Sequence, residues 1–236
     1  MLLRNRAPAA LLTLVLTALS VTATACSDDS TGGSDASPEE ALATAKQHLD
    51  DTSGVHLTLA TDDLPDGVTG VEAAEGVGTH APAFDGSITV VLSGQAFEVP
   101  VVAVGGSVYV QLPLTTGWQD IDPADYGAPD PAMLMSADRG FSSLLPATTD
   151  LEEGDSVRGG KDNSEVLTEY TGSVGDDVVK NVIPTASGDF DATYTIADDG
   201  ELRSARLTGV FYEGTDSMTY TVTFEDYGTE QDITAP

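Results

Sequence analysis

Phe97-Glu98-Val99-Pro100-Val101, then Gly105-Gly106, then Val108-Tyr109-Val110-Gln111-Leu112 is the stretch that decides the fold. Apolar side chains fall at every second position on both sides of the glycine pair. A period of two belongs to a strand with one buried face. Adjacent glycines accept positive φ, so Gly105-Gly106 reads as a tight hairpin turn. The same pattern recurs outward from there. Ile88, Val90 and Leu92 alternate with Thr89 and run into Ser93-Gly94. Val55, Leu57 and Leu59 alternate with His56 and Thr58. Late in the chain, Phe190, Ala192, Tyr194 and Ile196 alternate with Asp191, Thr193 and Thr195. Met218, Tyr220, Val222 and Phe224 alternate with a ladder of Thr219, Thr221 and Thr223. Asp198-Asp199-Gly200 and Glu213-Gly214 supply further turn signals. Hairpin after hairpin predicts an antiparallel meander of about nine to eleven strands, apolar on one face and wet on the other.

Three segments break the period. Ser37-Pro38-Glu39-Glu40 is a capping box with proline at the first helical position, followed by Leu42, Ala45 and Leu49 at helical spacing. Asp130 to Leu145 carries Met133, Leu134, Met135, Phe141, Leu144 and Leu145, and Pro146 stops it. Ser173 to Ile183 reads as a helix capped by Ser173, with Val178, Val179, Val182 and Ile183 as its apolar face before Pro184. The class is therefore α+β: a large antiparallel sheet whose apolar face is covered incompletely by three short helices. Incomplete cover permits a cavity between sheet and helices without requiring one.

The chain has 236 residues, with 9 Lys+Arg against 39 Asp+Glu, a net charge of −30 and a pI of about 4.1. Such a surface repels phosphate backbones, so nucleic acid is not an expected partner. It also repels anionic lipid headgroups. A single cysteine leaves no intramolecular disulfide and no Cys-rich zinc site. The 1–25 segment reads as an export signal: Arg4 and Arg6, then an apolar run from Ala7 to Val21, then Ala23-Thr24-Ala25 before Cys26. That pattern resembles a bacterial lipobox, with Ala23 where leucine is preferred, and implies that Cys26 is the lipidated first residue of the mature protein. Residues 26–37, polar and acidic, read as a flexible tether. Residues 38–236 then form one domain.

Catalytic patterns fail on their own terms. Gly105-Gly106-Ser107-Val108-Tyr109 and Gly154-Asp155-Ser156-Val157-Arg158 both lack the last glycine of a nucleophile elbow. Gly76-Val77-Gly78-Thr79-His80-Ala81 lacks the last glycine of a dinucleotide loop. His48, His56 and His80 stand apart from one another in sequence. Pairs of carboxylates are expected by chance among 39 acids. Asp198-Asp199-Gly200 reads as a solvated turn, with loose calcium binding as the alternative. Trp118 reads as a core residue, with a lipid-edge aromatic as the alternative. No enzyme, cofactor or metal is expected.

Lipobox, tether, N-terminal helix and the run Gly86-Ser87-Ile88-Thr89-Val90-Val91-Leu92 to Gly105-Gly106-Ser107-Val108-Tyr109-Val110 resemble the actinobacterial LppX/LprAFG lipoproteins. So do Gly117-Trp118-Gln119-Asp120, the Asp130-Pro131-Ala132 start, Gly140-Phe141-Ser142-Ser143-Leu144-Leu145 and the Val178-to-Pro184 segment. The resemblance implies a half-barrel sheet with helices over its concave face, like the LolA/LolB carriers. It implies an apolar cavity for multi-acylated lipids, triacylglycerols or glycolipids, carried through the cell envelope, and no catalytic residues. The lining would come from Ile88, Val90, Leu92, Phe97, Val99, Val101, Val108 and Val110 on the early strands. Tyr194, Ile196, Tyr220, Val222 and Phe224 would line it on the late strands. Met133, Phe141, Leu144, Leu145, Val178, Val182 and Ile183 would roof it. Location would be the extracytoplasmic face of the cell membrane, anchored at Cys26, with any transporter partner left open. The rival reading is a tethered scaffold or partner-binding module with a closed core.

Overall fold

The computed structural model describes residues 36–113, 115–126 and 128–236, with the backbone but not the side chain of Lys161. The stretch read as an export signal, Cys26, and the stretch read as a tether up to Asp35 lie outside the described residues.

Helix α1 (Pro38–Asp51) begins at the predicted box: the Ser37 hydroxyl accepts from the Glu40 N–H, and the Glu40 carboxylate accepts from the Ser37 N–H. Ala41, Leu42, Ala45 and Leu49 form its buried face. Eleven strands follow: β1 (Gly54–Ala60), β2 (Gly70–Thr79), β3 (Ala83–Leu92), β4 (Gln95–Val104), β5 (Ser107–Val110), β6 (Gln119–Ile121), β7 (Thr149–Gly159), β8 (Glu165–Val174), β9 (Ser187–Ala197), β10 (Leu202–Val210) and β11 (Met218–Glu225). They form one open, curved antiparallel sheet in the order β6-β5-β4-β3-β2-β1-β11-β10-β9-β8-β7. Every pairing but one joins neighbours in sequence. The exception is β1 with β11, where Leu57 faces Phe224 and Leu59 faces Val222. All four predicted glycine turns pass through positive φ: Ser93 and Gly94 at 52 and 76, Gly105 and Gly106 at 64 and 83, Gly200 at 88 and Gly214 at 78.

The wet convex face carries the threonine ladder. Thr58 is hydrogen-bonded to Thr223, Thr208 to Thr219 at 3.0 Å, and Thr195 to Ser204 at 2.7 Å. On the concave face the packing needs glycine at one cross-strand pair. Gly76 and Gly86 oppose each other with the Phe84 ring over them, so that a Cβ on either would come within 2.7 or 2.9 Å of Phe84 Cζ.

Two helical expectations are corrected. Asp130–Leu145 is not one helix but two 3-10 segments, Pro131–Met135 and Phe141–Ala147. Asp130 caps the first through the Ala132 N–H at 2.9 Å. The consecutive apolar run Met133-Leu134-Met135 has no 3.6-residue period. Gly140 folds back on it, its N–H on the Ser136 carbonyl at 2.6 Å. Likewise Ser173 is no N-cap: it remains in β8, paired with Asp191, and α2 is a single turn, Asp176–Val179, capped by Gly175.

Candidate functional site

Register decides which side chains share the concave face. Val90 opposes Phe97, Ile88 opposes Val99, Val101 opposes Val110, and Ala103 opposes Val108. Phe97, Val99, Val101, Val108 and Val110 therefore lie on one face with Ile88, Val90 and Leu92. On the other side of the β1–β11 junction, Val222 opposes Ala205, Ala205 opposes Tyr194, and Tyr194 opposes Tyr170. Phe224, Tyr220 and Ile196 continue that surface.

The cover over this face is uneven. Phe141 stands edge-on against Phe224, ring centroids 5.7 Å apart. Leu144 and Leu145 are buried beside it, as are Val179 and Val182 from the α2 region. Phe211 packs on Phe190 at 4.9 Å and edge-on against Tyr220 at 4.8 Å. Thr148, at the end of the second 3-10 segment, is hydrogen-bonded to the Tyr194 hydroxyl at 2.9 Å. Burial pushes the Tyr194 phenol up to about 12 against that bond, which pulls it down. A polar clasp ties this roof to α1: the Ser142 hydroxyl donates to Asp50 at 2.6 Å, and Lys46 Nζ reaches Asp50 at 2.6 Å and the Ala137 carbonyl at 2.8 Å.

Over β2 to β4 the cover stops short. Met135 and Ala132 seal only the lower part, where Leu57, Phe84, Val99, Val101, Ala103, Val108 and Val110 are all buried. Above them Ile88, Val90, Phe97 and Leu59 are half-buried, and Leu92 is 44% exposed. These residues leave an apolar strip (the trough) that is partly open to water and runs towards the Ser93-Gly94 turn. Of the predicted roof residues, Met133, Val178 and Ile183 are only half-buried.

One edge of the trough is made by two phenols. β1 ends at Ala60, so on that side β2 has no strand partner from Gly70 to Glu72, only the Thr61 N–H on the Glu72 carbonyl, while its other edge stays paired with β3. The Val71 N–H donates to the Tyr212 hydroxyl at 3.1 Å, Tyr220 donates to the Val71 carbonyl, and the two hydroxyls lie 2.9 Å apart. Sequence reading passed over this bridge. Its signal was the aromatic pair around the Glu213-Gly214 turn. Burial, followed by the neighbouring Tyr212, pushes the Tyr220 phenol up.

The two most evident hollows among the described residues are slight, and neither is the predicted cavity. The larger, about 380 Å³, is open and bordered by Gln47, His48, Asp51, Glu201 and Tyr227. Its Glu201 is taken by Arg203. The smaller, about 170 Å³, touches Met133 alone among the predicted lining residues. The histidines are spread out: His56 pairs with Glu75 at 3.4 Å, and the His80 ring bonds the Leu49 carbonyl at 2.7 Å. Trp118 is half-buried and lies outside the core cluster, against the expectation of a core residue. Among the described residues no helix is long and apolar enough to cross a membrane.

An open curved antiparallel sheet of eleven strands with a partly roofed apolar face defines the class. The sequence matches the LppX_LprAFG lipoprotein model over residues 37–235, and the chain belongs to that family. Among solved structures it is similar to LprF from Mycobacterium bovis, with a TM-score of 0.68, 15% identity, and 84% of this chain and 96% of that one covered. It is also similar to the lipoprotein LppX of Mycobacterium tuberculosis, with a TM-score of 0.62, 20% identity and 85% and 100% coverage. A LolA superfamily protein from Nitrosomonas europaea matches at a TM-score of 0.27, too low to carry geometry. No curated protein matches the sequence.

Proposed function

We propose that this lipoprotein is an extracytoplasmic carrier, anchored in the cell membrane through Cys26, that takes acylated lipids of the triacylglycerol or glycolipid class on its concave face and moves them through the cell envelope. The observation that carries the reading is the trough of Ile88, Val90, Leu92 and Phe97, left half-open on a face otherwise sealed. Burying a methylene yields ~0.8 kcal/mol, so a ~15-methylene chain is worth ~12 kcal/mol before ordering costs. Such a ligand needs apolar area and few directed contacts. Two acyl chains on Cys26 suffice for stable anchoring without electrostatic help.

The closed aromatic half favours the rival reading, a tethered scaffold with no ligand. One experiment separates them: purify the protein from its native membrane without lipid supplements, extract it with solvent, and weigh the extract by mass spectrometry. Stoichiometric acylated lipid beyond the covalent anchor is the expected result. A clean protein with no co-purifying lipid leaves the scaffold reading standing.

A further inference from the structure

The trough opens onto a rim made by five connections: 61–69 between β1 and β2, the 93–94 turn, 111–118 between β5 and β6, 175–186 between β8 and β9, and 211–217 between β10 and β11. Antiparallel alternation puts all five at one end of the sheet. Two of them meet beside the trough. Leu64 and the Tyr212 hydroxyl both lie against Gly70, within 3.2 Å of where its Cβ would stand.

The charge of this rim has one sign. The five connections contain Asp62, Asp63, Asp66, Asp176, Asp177, Glu213 and Asp216, against a single base, Lys180. Lys180 is already held by Asp176 at 2.7 Å, and that bond keeps the Asp176 carboxyl below its usual range. Asp62, Asp63 and Asp66, nearest the trough in the chain, are exposed. The far field adds to this. From residue 26 onward the balance is 7 − 39 = −32, because Arg4 and Arg6 belong to the leader.

We propose that this rim selects the headgroup: the trough takes acylated lipids whose headgroup bears no negative charge and turns away anionic phospholipids. The proposal rests on the lipid-binding reading above and narrows its ligand class. An acyl chain lying on Ile88 and Phe97 leaves its headgroup at the rim, because only the chain gains by burial there. A phosphate at that place meets the field of these carboxylates, which salt screens over a Debye length of ~10 Å at ~0.1 M. It finds no free guanidinium or ammonium on the rim to bond it. Glycerol or sugar hydroxyls suit the same surface, since ionised carboxylates only accept hydrogen bonds and hydroxyls donate them.

The test uses the full-length protein, stripped of lipid and offered an equimolar mixture of dioleoylglycerol and dioleoylphosphatidylglycerol in neutral detergent micelles. The acyl chains are identical, so headgroup alone distinguishes them. After re-isolation the bound lipids are counted by mass spectrometry. At low salt, about 20 mM, the neutral lipid is expected in at least about tenfold excess, falling towards parity at about 1 M. The triple variant Asp62→Asn, Asp63→Asn, Asp66→Asn, with an unchanged circular dichroism spectrum, should lose much of the preference at low salt. Equal binding, an excess of the anionic lipid, or a preference indifferent to both salt and variant overturns the selection while leaving lipid binding intact. Binding of neither lipid overturns the carrier reading itself, and the selection falls with it.

Discussion

The strands on the two sides of the β1–β11 junction present the same alternation to the same face and meet different fates. Across β8 to β11 the face is closed with aromatic rings: Tyr170, Phe190, Tyr194, Phe211, Tyr220 and Phe224 are all buried. Across the upper part of β2 to β4 it carries aliphatic side chains and Phe97, and they stay half-open. Composition contributes to the difference, since rings reach each other across strands and fill space that valines leave. The larger cause is where the roof lands. The 141–147 segment is fixed over Phe224 by Phe141, by the Ser142–Asp50 bond and by the Thr148–Tyr194 bond. The 131–135 segment ends its cover at Met135. Stability is thus concentrated in one half, and the other keeps apolar side chains partly open to water.

The largest expected effect breaks the closed half. Phe211→Ala removes a ring packed against Phe190 and Tyr220, with 0% of the residue exposed. It should cost ~3–5 kcal/mol in denaturant unfolding, the range for emptying a buried aromatic site. Phe97→Ala, in the open half, removes a ring that is only partly buried and should cost about 1–2 kcal/mol, scaled by the area it buries. Comparable losses from the two substitutions would mean the halves are equally packed.

Alkali should act on the closed half as well. The Tyr194 phenol has its folded-state value raised to about 12 by burial, from 10.0 in the unfolded chain. An acid whose folded value is raised binds more protons when folded. Its stabilising contribution is therefore complete below pH 10 and is lost as pH climbs from 10 towards 12. At ~1.4 kcal/mol per unit the loss approaches ~2–3 kcal/mol. Tyr194→Phe should flatten that part of the stability-pH curve while forfeiting the hydrogen bond to Thr148. An unchanged slope in the variant would place alkaline sensitivity elsewhere.

Much of this fold was legible, and the failures have physical causes. Alternation is clean in β1, β5, β9 and β11, which have one wet and one apolar face, and in β4 as far as Val101, beyond which Val102 and Ala103 are buried too. In β2 it is blurred by Gly76, Gly78 and paired alanines, and a bulge between Val71 and Ala73 shifts the phase. The exposed edge strand β7 carries no apolar stripe to read, and its register slips twice against β8. The β1–β11 pairing joins the ends of the domain, and no local signal announces such a contact. Sequence put these side chains on one shared face, as the register has them, but could not grade their burial. Val101 and Ile88 have the same pattern around them. What separates them is a 3-10 segment some thirty to forty-five residues further on, as the numbering gives.

That separation gives the sharpest test of the comparison. A tryptophan on the concave face distinguishes open space from packed core, and Val101 is the position sequence alone would choose. In the structure Val101 is 2% exposed, faces Val110 across the β4–β5 pair, and belongs to the buried cluster. Val101→Trp is therefore overpacking and should cost ~1–3 kcal/mol. Ile88 sits two residues along the same face from Gly86, opposite Val99, and is only half-buried. Ile88→Trp adds a ring where the roof has ended, so the midpoint of unfolding should move by less than the equivalent of ~0.5 kcal/mol, as for an ordinary surface change. The same ring occupies the surface an acyl chain would cover. Bound lipid per protein should fall severalfold in Ile88→Trp with the fold intact, whereas in Val101→Trp any loss of lipid should follow the loss of stability. If Ile88→Trp destabilises as much as Val101→Trp, the trough is closed in solution. The contrast between the two halves then disappears, and with it the reason for placing a ligand there.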